Sequence, residues 1–96
     1  MESVSLSRSQ RLVGRNLKTW RKLNGLTMAQ LAERTGISRQ TVRAIEQGAG
    51  SVSSENLMRV LWVFGLDTKL VTITDPYETD VGRLRADERL PQRVRN

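Results

Sequence analysis

The chain of 96 residues contains no cysteine and no histidine. That excludes disulfide staples, thiolate or imidazole metal sites, and the Ser-His-Asp and Cys-His arrangements of nucleophilic catalysis. Only carboxylates remain for acid–base work. No apolar run approaches the length of a membrane span, and the first fifteen positions alternate Ser, Arg and Gln with single apolar residues. Neither a membrane segment nor a secretory signal is expected, and a cytoplasmic location is the default. The length suits one small domain and rules out a two-domain enzyme. With glycine included, the apolar share is about 45%, the lower edge of the ordinary globular range, so a packed core is expected with some segment left outside it.

The chain is rich in positive charge. Sixteen Lys plus Arg against ten Asp plus Glu leave a net +6, which makes a polyanion the first partner to consider. The distribution is uneven. Between Ser7 and Leu70 there are eleven basic residues (Arg8, Arg11, Arg15, Lys18, Arg21, Lys22, Arg34, Arg39, Arg43, Arg59, Lys69) and four acidic ones (Glu33, Glu46, Glu55, Asp67), whereas Val71 to Asn96 holds five of each. The basic field belongs to the first two thirds of the chain.

After a polar arm over residues 1–8, Leu12, Val13, Leu17 and Trp20 recur at helical spacing with basic residues on the other faces, predicting an amphipathic helix. Asn24-Gly25 supplies a stop, and Thr27 caps a short second helix running through Arg34 with Leu31 and Ala32 inward. Thr35-Gly36-Ile37 turns the chain. Ser38 caps a third helix, Arg39 to Gln47, with Val42 and Ile45 inward. A Gly- and Ser-rich loop, Gly48 to Ser54, precedes a fourth helix from Glu55 to Phe64, stopped by Gly65. Lys69 to Thr74 alternates and is rich in β-branched residues, which predicts a short strand ended by Asp75-Pro76. A lone strand leaves its backbone unpaired, so pairing with its copy across a two-fold axis is expected, with Leu70, Val71, Thr72 and Ile73 as dimer contacts. Thr79 to Leu90 suits a last short helix, weakened by Gly82, before Pro91 releases a basic end at Arg93 and Arg95.

Two short helices joined by a glycine turn, the second opening with long polar side chains, form the geometry that inserts a helix into the DNA major groove. The run Gln30-Leu31-Ala32-Glu33-Arg34-Thr35-Gly36-Ile37-Ser38-Arg39-Gln40-Thr41-Val42-Arg43-Ala44-Ile45-Glu46-Gln47-Gly48 resembles the helix-turn-helix signature of the phage-repressor and Cro-like, or xenobiotic-response-element, family. The resemblance covers roughly Leu12 to Leu66. Ala32 is small where the two helices cross, Gly36 takes the turn, and Ile37, Val42 and Ile45 lock the second helix against the first. It implies an all-α, lambda-repressor-like bundle of four to five helices, here with a dimerising C-terminal strand. The expected organisation is a flexible arm over 1–8, a DNA-binding domain over 9–68, and a strand and tail over 69–96.

By this resemblance the third helix is the recognition helix. With Val42 and Ile45 inward, Arg39, Gln40, Arg43 and Gln47 lie on the opposite side, and Arg pairs with the guanine O6/N7 edge as Gln does with the adenine N6/N7 edge. These four are the candidate base contacts, Arg39 being equally suited to a phosphate; a solvated face is the alternative. Candidate phosphate contacts are Thr27, Ser38, Thr41, Ser53 and Ser54, at helix starts or beside them, and Lys18 as a charged supplement on the first helix, with Ser38 equally suited to capping alone. Arg15 and Lys22 supplement them. Two features depart from the family. Met28 stands where a phosphate-binding glutamine is common, and the loop Gly48 to Ser54 lacks the usual lysines and arginines, so the basic Arg8 and Arg11 or the dimer are expected to offset weaker clamping. Glu46 would repel phosphate; the resemblance assigns it a structural ion pair with Arg21. Trp20 and Trp62 read as packing residues, and Trp62, off the Leu57, Leu61, Phe64 stripe with Met58, is expected to face a second subunit.

The stretch from Asp80 to Arg95, with Val81, Leu84, Leu90 and Val94 spaced among arginines, resembles the C-terminal tail of HipB-like regulators, antitoxins encoded beside HipA-type kinase toxins. That resemblance implies a homodimeric repressor of palindromic operators with a HipA-type kinase as partner. A frayed tail without function is the plain alternative. No catalysis and no cofactor are expected. Two rivals remain: a stand-alone phage or host repressor without a toxin partner, and a small carboxylate-dependent nuclease built on Asp75, Glu78 and Asp80, whose acids crowd one turn instead of surrounding a metal.

Overall fold

In the computed structural model, residues 2–90 are described, the side chains from residue 5 onward. Pro91, Arg93, Val94 and Arg95 of the expected tail lie outside the described residues. The chain divides after Gly65 into two compact units.

The first unit holds helices α1 (Glu2–Leu23), α2 (Met28–Thr35), α3 (Arg39–Glu46) and α4 (Ser54–Val63). Helix α1 begins at Glu2, so most of the segment expected as a flexible arm is helical. Its end follows the Asn24-Gly25 signal: Gly25 takes φ +69°, and the N–H groups of Gly25 and Leu26 donate to the carbonyls of Lys22 and Arg21 at 3.0 and 3.1 Å. Orphan carbonyls of the last turn are thereby satisfied without extending the helix. Thr27 then opens α2 with a reciprocal cap. Its hydroxyl accepts from the Gln30 N–H at 3.0 Å, and the Gln30 side chain accepts from the Thr27 N–H at 2.8 Å.

The core is small. Leu17, Leu26, Leu31, Ala32, Val42, Ile45 and Val60 are its buried apolar side chains in this unit. Leu12, Val13 and Trp20, expected inward, are exposed, because the line of α1 that touches the bundle is Gln10, Gly14, Leu17 and Arg21. Trp20 covers the flank, its ring stacked on Phe64 at 6.4 Å. Gly14 explains the offset: a Cβ there would lie 2.5 Å from the Ile45 carbonyl oxygen and 2.7 Å from that of Glu46. Helices α1 and α3 meet so closely at this point that only hydrogen fits, and larger apolar residues are displaced to the sides.

The second unit holds α5 (Asp67–Ile73), a 3₁₀ turn (Pro76–Glu78) and α6 (Asp80–Arg89). The expected strand over Lys69 to Thr74, and with it the strand pairing through Leu70, Val71, Thr72 and Ile73, is replaced by helix. No strand occurs among the described residues. The physical reason is local. A strand needs a partner for its backbone, whereas this helix bonds within itself, the N–H groups of Leu70 and Thr74 donating to the carbonyls of Leu66 and Leu70 at 3.0 and 3.1 Å. Its threonines add to this, since the hydroxyls of Thr72 and Thr74 donate back to the carbonyls of Thr68 and Leu70. β-Branching disfavours a helix by only a few tenths of a kcal/mol per residue, too little to prevent this. In α6, capped by Thr79, Gly82 is a requirement instead of a weakness: a Cβ there would overlap the Pro76 backbone.

Gly14→Val is expected to lower unfolding free energy by about 1–3 kcal/mol through backbone displacement, read from urea denaturation, while the exposed Ser9→Val changes it much less. Equal effects would show that the helices do not meet at Gly14.

Candidate nucleic-acid interface

Helix α3 is held from behind by a buried ion pair. Arg21 of α1 donates from Nε to Glu46 Oε2 at 2.7 Å and from Nη2 to Oε1 at 3.2 Å, and its Nη1 reaches the Leu26 carbonyl at 2.8 Å. Both side chains are almost wholly buried. The fork geometry suits the carboxylate, and the third bond ties in the turn after α1, so one guanidinium joins three segments. The expected Arg21–Glu46 pair is therefore present.

Ahead of α3, Gly36 adopts φ +78° and the Gly36 N–H donates to the Ala32 carbonyl at 2.9 Å, ending α2 where a Cβ would be strained. Ser38 then accepts from the Thr41 N–H at 3.0 Å, and the two hydroxyls share a hydrogen bond of 2.8 Å. Val42, Ile45 and Glu46 face inward. Arg39, Gln40, Arg43 and Gln47 are all exposed, and among the described residues their side chains form no hydrogen bond or ion pair. The four residues singled out as base readers thus lie on the outward side of an eight-residue helix, Arg39, Gln40 and Arg43 within it and Gln47 as its C-cap, with their side-chain donors and acceptors free among the described residues.

The candidate phosphate contacts divide into two groups. Thr27 and Ser53 accept backbone N–H groups at their helix starts, Ser53 from Asn56 at 3.1 Å. Capping occupies a lone pair and leaves the hydroxyl proton available to an outside oxygen. Lys18 and Ser54 are exposed and also available. Ser38 and Thr41 bond to each other, which uses one of their two hydroxyl protons and leaves the other for a phosphate.

One residue counted in the basic field has a different role. Arg59 donates from Nη1 to the Thr35 carbonyl at 3.0 Å and from Nη2 to Glu55 Oε2 at 3.0 Å. It satisfies an end carbonyl of α2 and braces the turn from α4. The four-residue spacing of Glu55 and Arg59 was its only sequence signal. Of the acids behind the nuclease alternative, Asp75 accepts the Tyr77 N–H at 2.9 Å and Asp80 pairs with Arg83. Among the described residues no group of three possible metal ligands comes together.

Arg21→Ala, which strands the Glu46 carboxylate in the core, is expected to cost about 3–5 kcal/mol of stability. The double change Arg21→Met, Glu46→Leu is expected to recover most of that loss in chemical denaturation; a double variant as unstable as the single one would assign the effect to lost packing.

A family model described as helix-turn-helix matches residues 17–70, more than half of the chain. An uncharacterized HTH-type transcriptional regulator of Methanocaldococcus jannaschii is 38% identical over 64 residues, which cover 67% of this chain and 92% of the relative. No solved structure gives a significant match. No helix among the described residues is long and apolar enough to cross a membrane. With α2, the Gly36 turn and α3 all inside the matched span, the chain belongs to the helix-turn-helix family.

Proposed function

We propose that the protein is a sequence-specific DNA-binding transcriptional repressor, without catalytic activity, acting in the cytoplasm. The observation that carries this reading is the outward side of α3 and its C-cap, where Arg39, Gln40, Arg43 and Gln47 stand exposed with no side-chain hydrogen bond or ion pair among the described residues. Two arginines and two glutamines match the edges that guanine and adenine present in the major groove. Lys18, Thr27, Ser53 and Ser54 contact phosphates and set the register; Ser38 and Thr41 support them from the cap of α3.

The protein acts as a homodimer on palindromic operators. An eight-residue recognition helix spans only a few base pairs, and a two-fold pair doubles the sequence read. Support for a dimer surface comes from α4, where Trp62 is 64% exposed and Met58, one turn earlier, is also exposed. In the C-terminal unit, Val71 and Ile73 of α5 are exposed apolar residues in their own right, on a helix instead of a strand. At the finest level the protein is the antitoxin and autorepressor of a HipA-type kinase operon. That step is supported by the resemblance of residues 80–95 and by the exposed Val81, Leu84 and Leu90 of the C-terminal unit. A tagged copy expressed from its native locus is expected to bring down a serine/threonine kinase; purification without one favours the stand-alone repressor.

Footprinting upstream of its own gene locates the operator. On that site Arg43→Ala is expected to cost about 1–3 kcal/mol, with little loss on random duplex; equal losses on both would assign Arg43 to phosphate. Trp62→Glu is expected to convert the dimer to monomer in sedimentation velocity and to shorten the footprint to one half-site. An unchanged dimer would exclude α4 from the interface.

A further inference from the structure

Five cations of α1, Arg8, Arg11, Arg15, Lys18 and Lys22, follow one another at alternating steps of three and four residues. On a helix this spacing gathers them into a single stripe, about 21 Å long at 1.5 Å of rise per residue. All five are exposed. Among the described residues none of them forms an ion pair; the pairs found there use Arg21, Arg59 and Arg83. Core packing does not require these side chains either: the buried line of α1 is Gly14, Leu17 and Arg21, and where the stripe approaches the bundle, at Gly48, it does so through the Arg11 backbone. Like charges at these spacings disfavour an isolated helix until an anionic partner neutralises them.

The position of the stripe favours one partner. A Cβ on Gly48 would lie 2.7 Å from the Arg11 Cα and from the Gln10 carbonyl oxygen. Gly48 directly follows Gln47, the last residue of the outward face of α3. The stripe therefore passes beside the end of the recognition helix, next to a loop, Gly48-Ala49-Gly50-Ser51-Val52-Ser53, that has no charge of its own.

We propose that this stripe is a second DNA contact, a rail that follows the phosphate backbone beyond the base pairs read by α3. The inference rests on the reading of α3 as a DNA-binding helix and deepens it. At one base pair per 3.4 Å, the rail adds roughly six base pairs of backbone contact. It reads no bases, so it contributes affinity and salt dependence without sequence preference.

The test titrates full-length protein with a random-sequence duplex of about 30 base pairs between about 50 and 200 mM salt. Each neutralised phosphate contributes about 0.9 to the slope of log affinity against log salt. Changing Arg8, Arg11, Arg15 and Lys22 together to Gln, a good helix former, is expected to lower that slope by roughly 3–4. The charge-conserving Arg8→Lys, Arg11→Lys, Arg15→Lys protein is expected to keep the wild-type slope. The ratio of operator to random-duplex affinity is expected to stay within about twofold in both. An unchanged slope in the Gln variant, or an equal fall in the Lys variant, would overturn the rail while leaving DNA recognition by α3 intact. A Gln variant that keeps the slope but no longer binds phosphatidylserine vesicles would give the stripe to a membrane surface. Wild-type protein that binds no duplex at any of these salts would overturn the reading of α3 itself.

Discussion

A helix of eight residues is too short to hold its shape in water, and the outward chemistry of α3 depends on what grips its inner side. The grip is the buried contact between Arg21 and Glu46. A guanidinium and a carboxylate withdrawn from water are tolerated only when their hydrogen bonds are nearly complete, and Arg21 meets that condition by reaching Glu46 twice and the Leu26 carbonyl once. Those requirements make the contact geometrically demanding. Together with the close meeting at Gly14, it fixes both the rotation of α3 and its distance from α1, which decide the direction in which Arg39, Gln40, Arg43 and Gln47 project.

The basic residues of the first unit divide by partner. Arg21 and Arg59 serve the fold, one beneath α3 and the other at the end of α2. Among the described residues the exposed cations of α1 and α3 pair with no carboxylate, and they hold a positive field at the surface. The hydroxyl caps follow a similar economy: Thr27 and Ser53 accept from the backbone while keeping a proton for an outside acceptor. The caps that begin α2 and α4 therefore also leave hydroxyl donors at the surface.

The helix-turn-helix was legible because short-range rules act in concert there. Thr27, Gly36 and Ser38 are caps and stops with strong local preferences, and the inward spacing of Val42 and Ile45 selects the outward side of α3 without tertiary information. The Arg21–Glu46 contact followed from family resemblance, since 25 residues separate its partners and nothing local links them. Three features were hidden for physical reasons. The β-branched run at Lys69–Thr74 suits strand and helix almost equally, and the outcome turned on whether the backbone could satisfy itself. Gly14 resembles a weak point in a helix until its neighbour across the bundle is known. Arg59 is indistinguishable from a free surface cation until the Thr35 carbonyl lies beside it.

The proposed function requires that α3 lie along base edges in the major groove, presented twice by a symmetric pair of chains. Methylation of guanine N7 blocks the edge that an arginine fork would grip and leaves phosphates untouched. Dimethyl-sulfate interference on the operator measures this most directly. Methylated guanines are expected to be excluded from the bound fraction at symmetric positions in both half-sites; bound and free DNA carrying the same methylation pattern would overturn that placement of α3.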